Sequence, residues 1–298
     1  MKILPKYIQS YTDLVTTKDA IKHGFLQQAL QKIDKTEPYI KRAIEMRTRI
    51  KTTKNIVDLL KLSDIREELL MSAGFSTKAM SHIARKEQDD LLQNALKVIH
   101  DKHGDDFHDE ILFRYLLIAG DSLGGSMRNL TGSLGQRILA STIVNMLEKK
   151  NIRTIIGKAF KGNKIQSIAW KNRCIVFDRT PHFIGNNIDL ILLNSLVKNP
   201  EVRIYNYKGA YIACGELKGG IDPAGADEHW KTARSALDRI KQSFDKNKCP
   251  ALFFVAAAIE AAMAKEIFSR LQTGELSFAA NLTVEKQVDD LASWLISL

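Results

Sequence analysis

Two short apolar segments of this 298-residue chain end in charged side chains whose types and spacing suit metal-assisted chemistry. One segment carries a single acid, Asp189, and the other presents Glu216 and Lys218 one residue apart. Side chains on a strand alternate between its two faces, so Glu216 and Lys218 emerge together while Leu217 points into the core. Two carboxylates beside an ammonium can hold a hard divalent cation and direct a water at a phosphodiester. The pattern therefore predicts a nuclease centre.

Helices and strands that would position these residues follow from the periodicity of apolar side chains. Apolar residues recur about every three or four positions from residue 18 to 99, which predicts helices. The linker 103–109 interrupts this helical pattern. Further helices are predicted up to Ile118 and over Ser133–Lys150, and then over residues 225–244, 260–271 and 284–296. Strands are predicted at residues 165–170, 174–178, 188–193, 211–218 and 251–259.

This order of elements predicts a mixed α/β fold in which helices cover both faces of one mixed sheet. Residues 1–103 are expected to form a helical region for DNA contact, dimerisation or both. Residues 104–298 are expected to form the nuclease core.

The composition restricts the class of protein and of partner. Lysine and arginine number 44 against 34 aspartates and glutamates, which leaves a formal charge of +10. This charge indicates a polyanionic partner, and the alternative is a charged surface that only keeps the protein in solution. The basic run at residues 41–54 is more often a solvated helix face than a DNA contact. Three widely spaced cysteines form neither a disulfide framework nor a zinc pattern, which favours the reducing cytoplasm. The longest apolar run, residues 251–259, is too short to span a bilayer, so no membrane partner is expected.

The order of these elements resembles the PD-(D/E)XK nucleases, especially the type II restriction endonucleases. Asp189 opens one strand and Glu216-Leu-Lys closes the next, although the proline that usually precedes the first acid is missing. The run Cys214-Gly-Glu-Leu-Lys-Gly-Gly-Ile-Asp-Pro and its continuation to Ala233 is similar to the active-site region of the AvaI/BsoBI branch.

The resemblance and the chemistry together assign roles to these residues. Asp189, Glu216 and the backbone carbonyl of Leu217 would ligate Mg²⁺, and Lys218 would orient or help deprotonate the water. The resemblance implies that His229 stands beside the catalytic water; by itself it would be read as a capping or surface histidine.

Several residues are candidate DNA contacts. Asp222 can accept a hydrogen bond from a cytosine amino group in the major groove, or it can simply be a turn residue before Pro223. Lys231 is a second candidate on the following helix. Gly219 and Gly220 would permit the backbone to approach a phosphate closely.

The segment from Ile118 to Ser133 contains Gly-Asp-Ser-Leu, the signature of GDSL esterases, with Ser122 as the nucleophile. The Asp-X-X-His pair that would complete a triad is absent, because Ala226 stands three residues before His229. We interpret the segment as a loop in which Ser126, Arg128 and Asn129 contact DNA phosphates. The alternative is a turn between helices whose glycines only serve packing.

These observations predict a Mg²⁺-dependent type II restriction endonuclease that cleaves double-stranded DNA at a palindromic or nearly palindromic site as a homodimer. A non-catalytic nucleic-acid-binding protein and a GDSL-type serine esterase remain as alternatives. Metal dependence of DNA cleavage separates the first possibility from the second, and a serine-directed inhibitor separates it from the third.

Overall fold

A computed structural model describes residues 4–159, 164–194 and 204–298 of the chain. The chain divides into two compact units. Residues 27–129 form a helical unit, and residues 1–26 together with 130–298 form a second unit, here called the sheet unit. The two units do not divide the chain at residue 103, and the predicted functional boundary at that residue stays a prediction.

The helices of the described residues alternate with turns in the first half of the chain and with strands in the second. They are α1 (Lys18–Ile50), α2 (Ile56–Leu60), α3 (Arg66–Ser72), α4 (Thr77–Met80), α5 (Arg85–His103), α6 (Phe107–Lys149), α7 (Ala226–Gln242), α8 (Ala261–Thr273) and α9 (Glu285–Ser297). Among these described helices, none is both long and apolar enough to cross a membrane.

One seven-stranded sheet runs through the sheet unit, with its strands side by side in chain order. They are β1 (Thr154–Lys158), β2 (Ile165–Trp170), β3 (Arg173–Arg179), β4 (Ile188–Leu193), β5 (Tyr211–Lys218), β6 (Ala251–Ala256) and β7 (Phe278–Asn281). Neighbours from β1 to β5 are antiparallel, whereas β5, β6 and β7 are parallel. The predicted mixed sheet is therefore confirmed.

Helices cover both faces of this sheet, as predicted. Phe253 and Phe254 are adjacent on β6 and fully buried, and they enter the cores on opposite faces. The Phe254 side packs against α7 and α8 through Trp230 and Met263. The Phe253 side packs against α9 and the end of α6.

Buried hydrogen bonds tie the amino-terminal segment to the ends of β6 and β7. Thr16 donates its hydroxyl to the Ala257 carbonyl (2.8 Å) and accepts from the Ile259 amide (2.9 Å). The Asn281 side chain donates to the Leu14 carbonyl at 2.9 Å. Because buried polar groups are costly unless they are paired, this network fixes residues 14–16 within the sheet unit.

The helical unit has its own core, formed by the inner faces of its helices. Met46, Leu69, Leu96 and Ile111 are almost fully buried in it. A tight turn joins α3 to α4. Gly74 adopts a φ of +95°, and the Ser76 side chain caps α4 by accepting from the Ala79 amide at 3.2 Å.

The predicted break between residues 118 and 133 is wrong, because α6 continues as one helix through that segment. Glycine costs a helix about 1 kcal/mol relative to alanine, which buried neighbours on both sides can offset. Tyr115 and Ala119 are buried before the glycines, Leu123 between two of them, and Leu139 and Ile143 after them. The glycines predicted a loop, whereas the apolar residues continue with helical spacing through the segment.

Helical geometry also decides how the residues of this segment are presented. Ser122 lies inside α6, where no strand-to-loop turn exposes it as a nucleophile. Ser126, Arg128 and Asn129 are exposed on the same helix, in the helical unit, and they are not part of a loop. Their predicted contact with DNA phosphates stays a prediction.

Candidate active site

Three of the predicted catalytic side chains meet at the ends of β4 and β5. Asp189 Oδ2 accepts hydrogen bonds from the Leu217 amide at 2.8 Å and from Lys218 Nζ at 3.1 Å. Lys218 Nζ also donates to Glu216 Oε2 at 3.0 Å. The antiparallel register places Leu190 opposite Gly215, so the two acids enter from neighbouring strands. One ammonium therefore bridges two carboxylates.

Burial and charge determine the protonation of this cluster. Only 4% of Glu216 is exposed, and its burial, followed by the negative charge of Asp189, raises its pKa to about 7. Burial opposes the charge of Lys218, but the neighbouring Asp189 and Glu216 carboxylates outweigh it and raise the pKa of the ammonium. The lysine is therefore charged at neutral pH, and Glu216 is poised to lose its proton there.

The donor atoms of this cluster fit a hard divalent cation. Glu216 Oε1 is buried and has no hydrogen-bond partner among the described residues. An oxygen left unpaired in this way is available as a ligand. Within the described ranges no group of three or more His, Cys, Asp or Glu side chains is arranged to hold a metal. Two carboxylates would thus need further oxygens from backbone, water or phosphate, and the role of the Leu217 carbonyl stays a prediction.

His229 lies beside the loop that follows the catalytic strand. Its ring is exposed in the first turn of α7, with Nε2 3.6 Å from where a β-carbon on Gly220 would stand. Its neighbour Trp230 is buried and donates to Glu266 Oε2 of α8 at 2.7 Å, which fixes this part of α7. The histidine is consequently presented on an anchored helix beside Gly220, which lies two residues beyond Lys218.

Known proteins similar to this chain identify its family. The family model described as restriction endonuclease BsobI matches residues 4–170 and 156–298. The chain belongs to the BsoBI restriction endonuclease family. It is 38% identical to the type II restriction enzyme AvaI of Nostoc sp., over 98% of each chain, and equally similar to AvaI of Anabaena variabilis. It is 36% identical to the type II restriction enzyme BsoBI of Geobacillus stearothermophilus, over 100% of this chain and 99% of the other.

Membership of the BsoBI family confirms the predicted resemblance and the predicted class of enzyme, a type II restriction endonuclease. It decides against the non-catalytic binding protein and against the serine esterase. The particular roles of the site residues remain predictions in this BsoBI-family enzyme.

Local contacts already occupy two predicted DNA-contact residues in the BsoBI-family chain. Asp222 accepts from the Ala224 amide at 3.0 Å and caps the short helical turn before α7, which matches the turn interpretation. Lys231 forms an ion pair with Asp227 at 2.6 Å on the same exposed helix face. Both side chains are exposed, and their contact with bases or phosphates stays a prediction.

The contact between α6 and the end of β5 could not be predicted from the sequence. A β-carbon on Gly219 would lie closer than 3.0 Å to the Thr131 carbonyl oxygen of α6. The space at Gly219 is thus filled by helix backbone, and only Gly220 keeps the freedom that was predicted for both glycines. Nothing in the sequence pattern of the BsoBI-family chain pairs Gly219 with Thr131, because the contact joins segments 88 residues apart.

Proposed function

We propose that this restriction endonuclease hydrolyses phosphodiester bonds of double-stranded DNA with Mg²⁺ held by Asp189 and Glu216. The observation that carries the proposal is the pair of carboxylates bridged by Lys218, with one buried Glu216 oxygen lacking a partner among the described atoms. When bound there, Mg²⁺ would neutralise charge on the phosphate and acidify a coordinated water.

Lys218 acts in this scheme as a hydrogen-bond donor. The two carboxylates raise its pKa, so it enters the reaction as an ammonium. A positive donor at this place orients the attacking water and attracts a phosphate oxygen. His229, exposed beside Gly220, is the neighbouring side chain suited to accept a proton from that water.

Cleavage of a long duplex tests this chemistry and its sequence specificity. Purified protein incubated with phage-length DNA and Mg²⁺ should yield fragments whose ends, once sequenced, share one short motif. A chelator should stop the reaction, and added Mg²⁺ should restore it. Metal-independent cleavage, or ends without a shared sequence, would contradict the proposal.

We further propose that the working unit is a symmetric homodimer acting at a palindromic or nearly palindromic site. One chain offers one catalytic cluster, whereas a duplex has two antiparallel strands, and a two-fold axis places one cluster on each. An apolar stripe on α1 supports this proposal. Leu30, Ile33, Ile40 and Ile44 are each at least 47% exposed, with spacings of three, seven and four that keep them on one side of the helix.

Mixed subunits test the dimer directly. Sedimentation should show a species near twice 33.6 kDa. Wild-type chains mixed with Glu216→Gln chains should produce duplexes nicked in one strand. A monomer on cognate DNA that cuts both strands without a nicked product would exclude the dimer.

Since duplex DNA and reduced thiols are both found in the cytoplasm, we propose that the enzyme works there.

A further inference from the structure

Helix α6 contacts the end of the catalytic strand through two glycines. Both lie in the sheet unit, as do their contacts. A β-carbon on Gly219 would stand closer than 3.0 Å to the Thr131 carbonyl oxygen and 3.0 Å from the Gly135 amide nitrogen. A β-carbon on Gly135 would stand 2.9 Å from Leu217 Cδ2 and 3.1 Å from the Gly219 α-carbon. Glycine is needed at both positions because the two backbones touch.

This contact adjoins the segment that carries the active-site ammonium. Leu217 donates its amide to Asp189, and the Lys218 carbonyl accepts from the Ala257 amide at 2.9 Å. Gly219 follows directly and meets α6. Residues 217–219 are therefore held from β4, from the end of β6 and from α6.

We propose that Gly135 and Gly219 are positioning residues for Lys218. A side chain at either glycine would separate α6 from the strand end and displace the backbone that carries the lysine. Nζ would then leave the position where it donates to both carboxylates. The inference rests on the proposed role of Lys218 in the cleavage reaction.

Three alanine substitutions form a matched test. Gly219→Ala and Gly135→Ala introduce the close contacts. Gly132→Ala is the control, because a β-carbon on Gly132 meets no described heavy atom within 4 Å. Alanine has the higher helix propensity at both positions of α6, so propensity cannot explain a loss at Gly135 alone.

Two measurements report on different consequences of each substitution. The first is the single-turnover cleavage rate at saturating Mg²⁺ and DNA, where a displacement of about 1 Å costs roughly 100-fold. The second is acylation of Lys218 by an N-hydroxysuccinimide ester without metal or DNA, measured by mass spectrometry against the exposed Lys246. An ammonium that has left its place between the two carboxylates is more accessible to the reagent and should be acylated several-fold faster.

We expect Gly219→Ala and Gly135→Ala to show both effects while DNA affinity stays within about threefold, and the control Gly132→Ala to show neither. Wild-type cleavage by Gly219→Ala, or slower cleavage with unchanged Lys218 acylation, would overturn the positioning role. If Gly219→Ala does not fold, Gly135→Ala decides, because its nearest contacts include the flexible ends of Leu217 and Leu282. Lys218→Ala separates the two proposals. Normal cleavage by Lys218→Ala would refute the proposed role of the lysine in the reaction. If Lys218→Ala is inactive and Gly219→Ala is fully active, only the positioning role of the glycines is refuted.

Discussion

The sheet unit and the helical unit differ sharply in charge. Residues 1–26 and 130–298 contain 27 lysines and arginines against 18 aspartates and glutamates, whereas residues 27–129 contain 17 against 16. Nine of the ten net positive charges thus belong to the unit that holds the catalytic cluster. Attraction of a polyanion is therefore strongest in the unit where the chemistry is proposed.

Two arginines of the basic run at residues 41–54 form ion pairs within the helical unit. Arg42 donates to the buried Glu68 at 2.7 Å, and Arg49 pairs with Asp64 at 2.6 Å. These contacts support the interpretation of the run as a structural and solvated helix face. What distinguishes the helical unit is instead the exposed apolar stripe of α1.

Each unit also contains a buried glutamate, and the two glutamates differ in ways that set the candidate site apart. Glu68 and Glu216 are 5% and 4% exposed, and each has one carboxylate oxygen without a hydrogen-bond partner among the described residues. Glu68 is paired with one arginine. Glu216 shares a lysine with a second acid, Asp189, and burial together with that acid's charge raises its pKa. Paired acids, more than burial, mark the site.

Identical substitutions of the two glutamates should give the largest contrast. Glu216→Gln, like Asp189→Ala and Lys218→Ala, should lower the single-turnover cleavage rate on the order of 10³-fold or more, because it removes part of one catalytic unit. Specific DNA binding should persist in gel-shift measurements. Glu68→Gln should leave the rate at saturation within about threefold, even if stability falls. Equal losses in the two variants would erase the proposed division of labour.

His229→Ala should have the next largest effect. Loss of general acid–base assistance costs roughly 10²–10⁴-fold in the cleavage step. DNA affinity should change much less. His82→Ala, a substitution of an exposed histidine in the helical unit, serves as the control and should cleave normally. If the His229 variant loses affinity yet cleaves normally at saturation, His229 belongs to recognition.

A charge on the α1 stripe should separate the two chains. Ile33→Asp would bury an unpaired carboxylate in the proposed interface, and we expect dimerisation to weaken by at least about 100-fold in sedimentation. Double-strand cleavage at low protein concentration should fall in parallel. Ile155→Asp changes a comparably exposed isoleucine of β1, in the sheet unit, and should leave the dimer intact. An unchanged sedimentation profile for Ile33→Asp would remove this stripe from the interface.

The raised pKa of Glu216 should also be visible in the stability of the metal-free protein. Glu216 keeps its proton up to a pKa of about 7 in the folded state, against 4.5 for an ordinary glutamate, so the folded state binds more protons between these values. Stability is therefore lost as pH rises through this interval. Glu216→Gln has no such proton to lose. Its free energy of unfolding, relative to that of the wild type, should therefore rise by at most about 3 kcal/mol from pH 4 to pH 8. Chemical denaturation at both pH values measures it, and a wild-type minus variant difference independent of pH would contradict the assignment.

Ser122→Ala should have the smallest effect. Ser122 lies within α6, and the chain has no Asp-X-X-His pair to activate it. DNA cleavage should remain within about threefold of wild type, since an isolated helix serine contributes little. A fluorophosphonate that labels Ser122, together with ester hydrolysis that the substitution abolishes, would restore the esterase interpretation.

Local patterns in the sequence were sufficient to predict most of the sheet and the three side chains, Asp189, Glu216 and Lys218, that meet at its edge. Period-two alternation and long apolar runs identified β2 to β6, and the charged residues at the ends of β4 and β5 were readable because strand geometry relates neighbouring side chains directly. The short strands β1 and β7 were missed. β7 reads Phe-Ala-Ala-Asn, which carries little strand propensity of its own and depends on pairing with β6.

Only the tertiary structure decided what depends on contacts between distant segments. Helix α6 continues through its glycines, because the burial of residues on both sides of the segment outweighs the low helix propensity of glycine. The tertiary structure also joined Gly135 to Gly219, and it buried Glu216 beside Asp189, which raises a pKa that no local sequence pattern specifies. Residue types and spacing thus determined which groups are the candidates for the chemistry. Packing between segments far apart in the chain determined their distances, their burial and hence their charge.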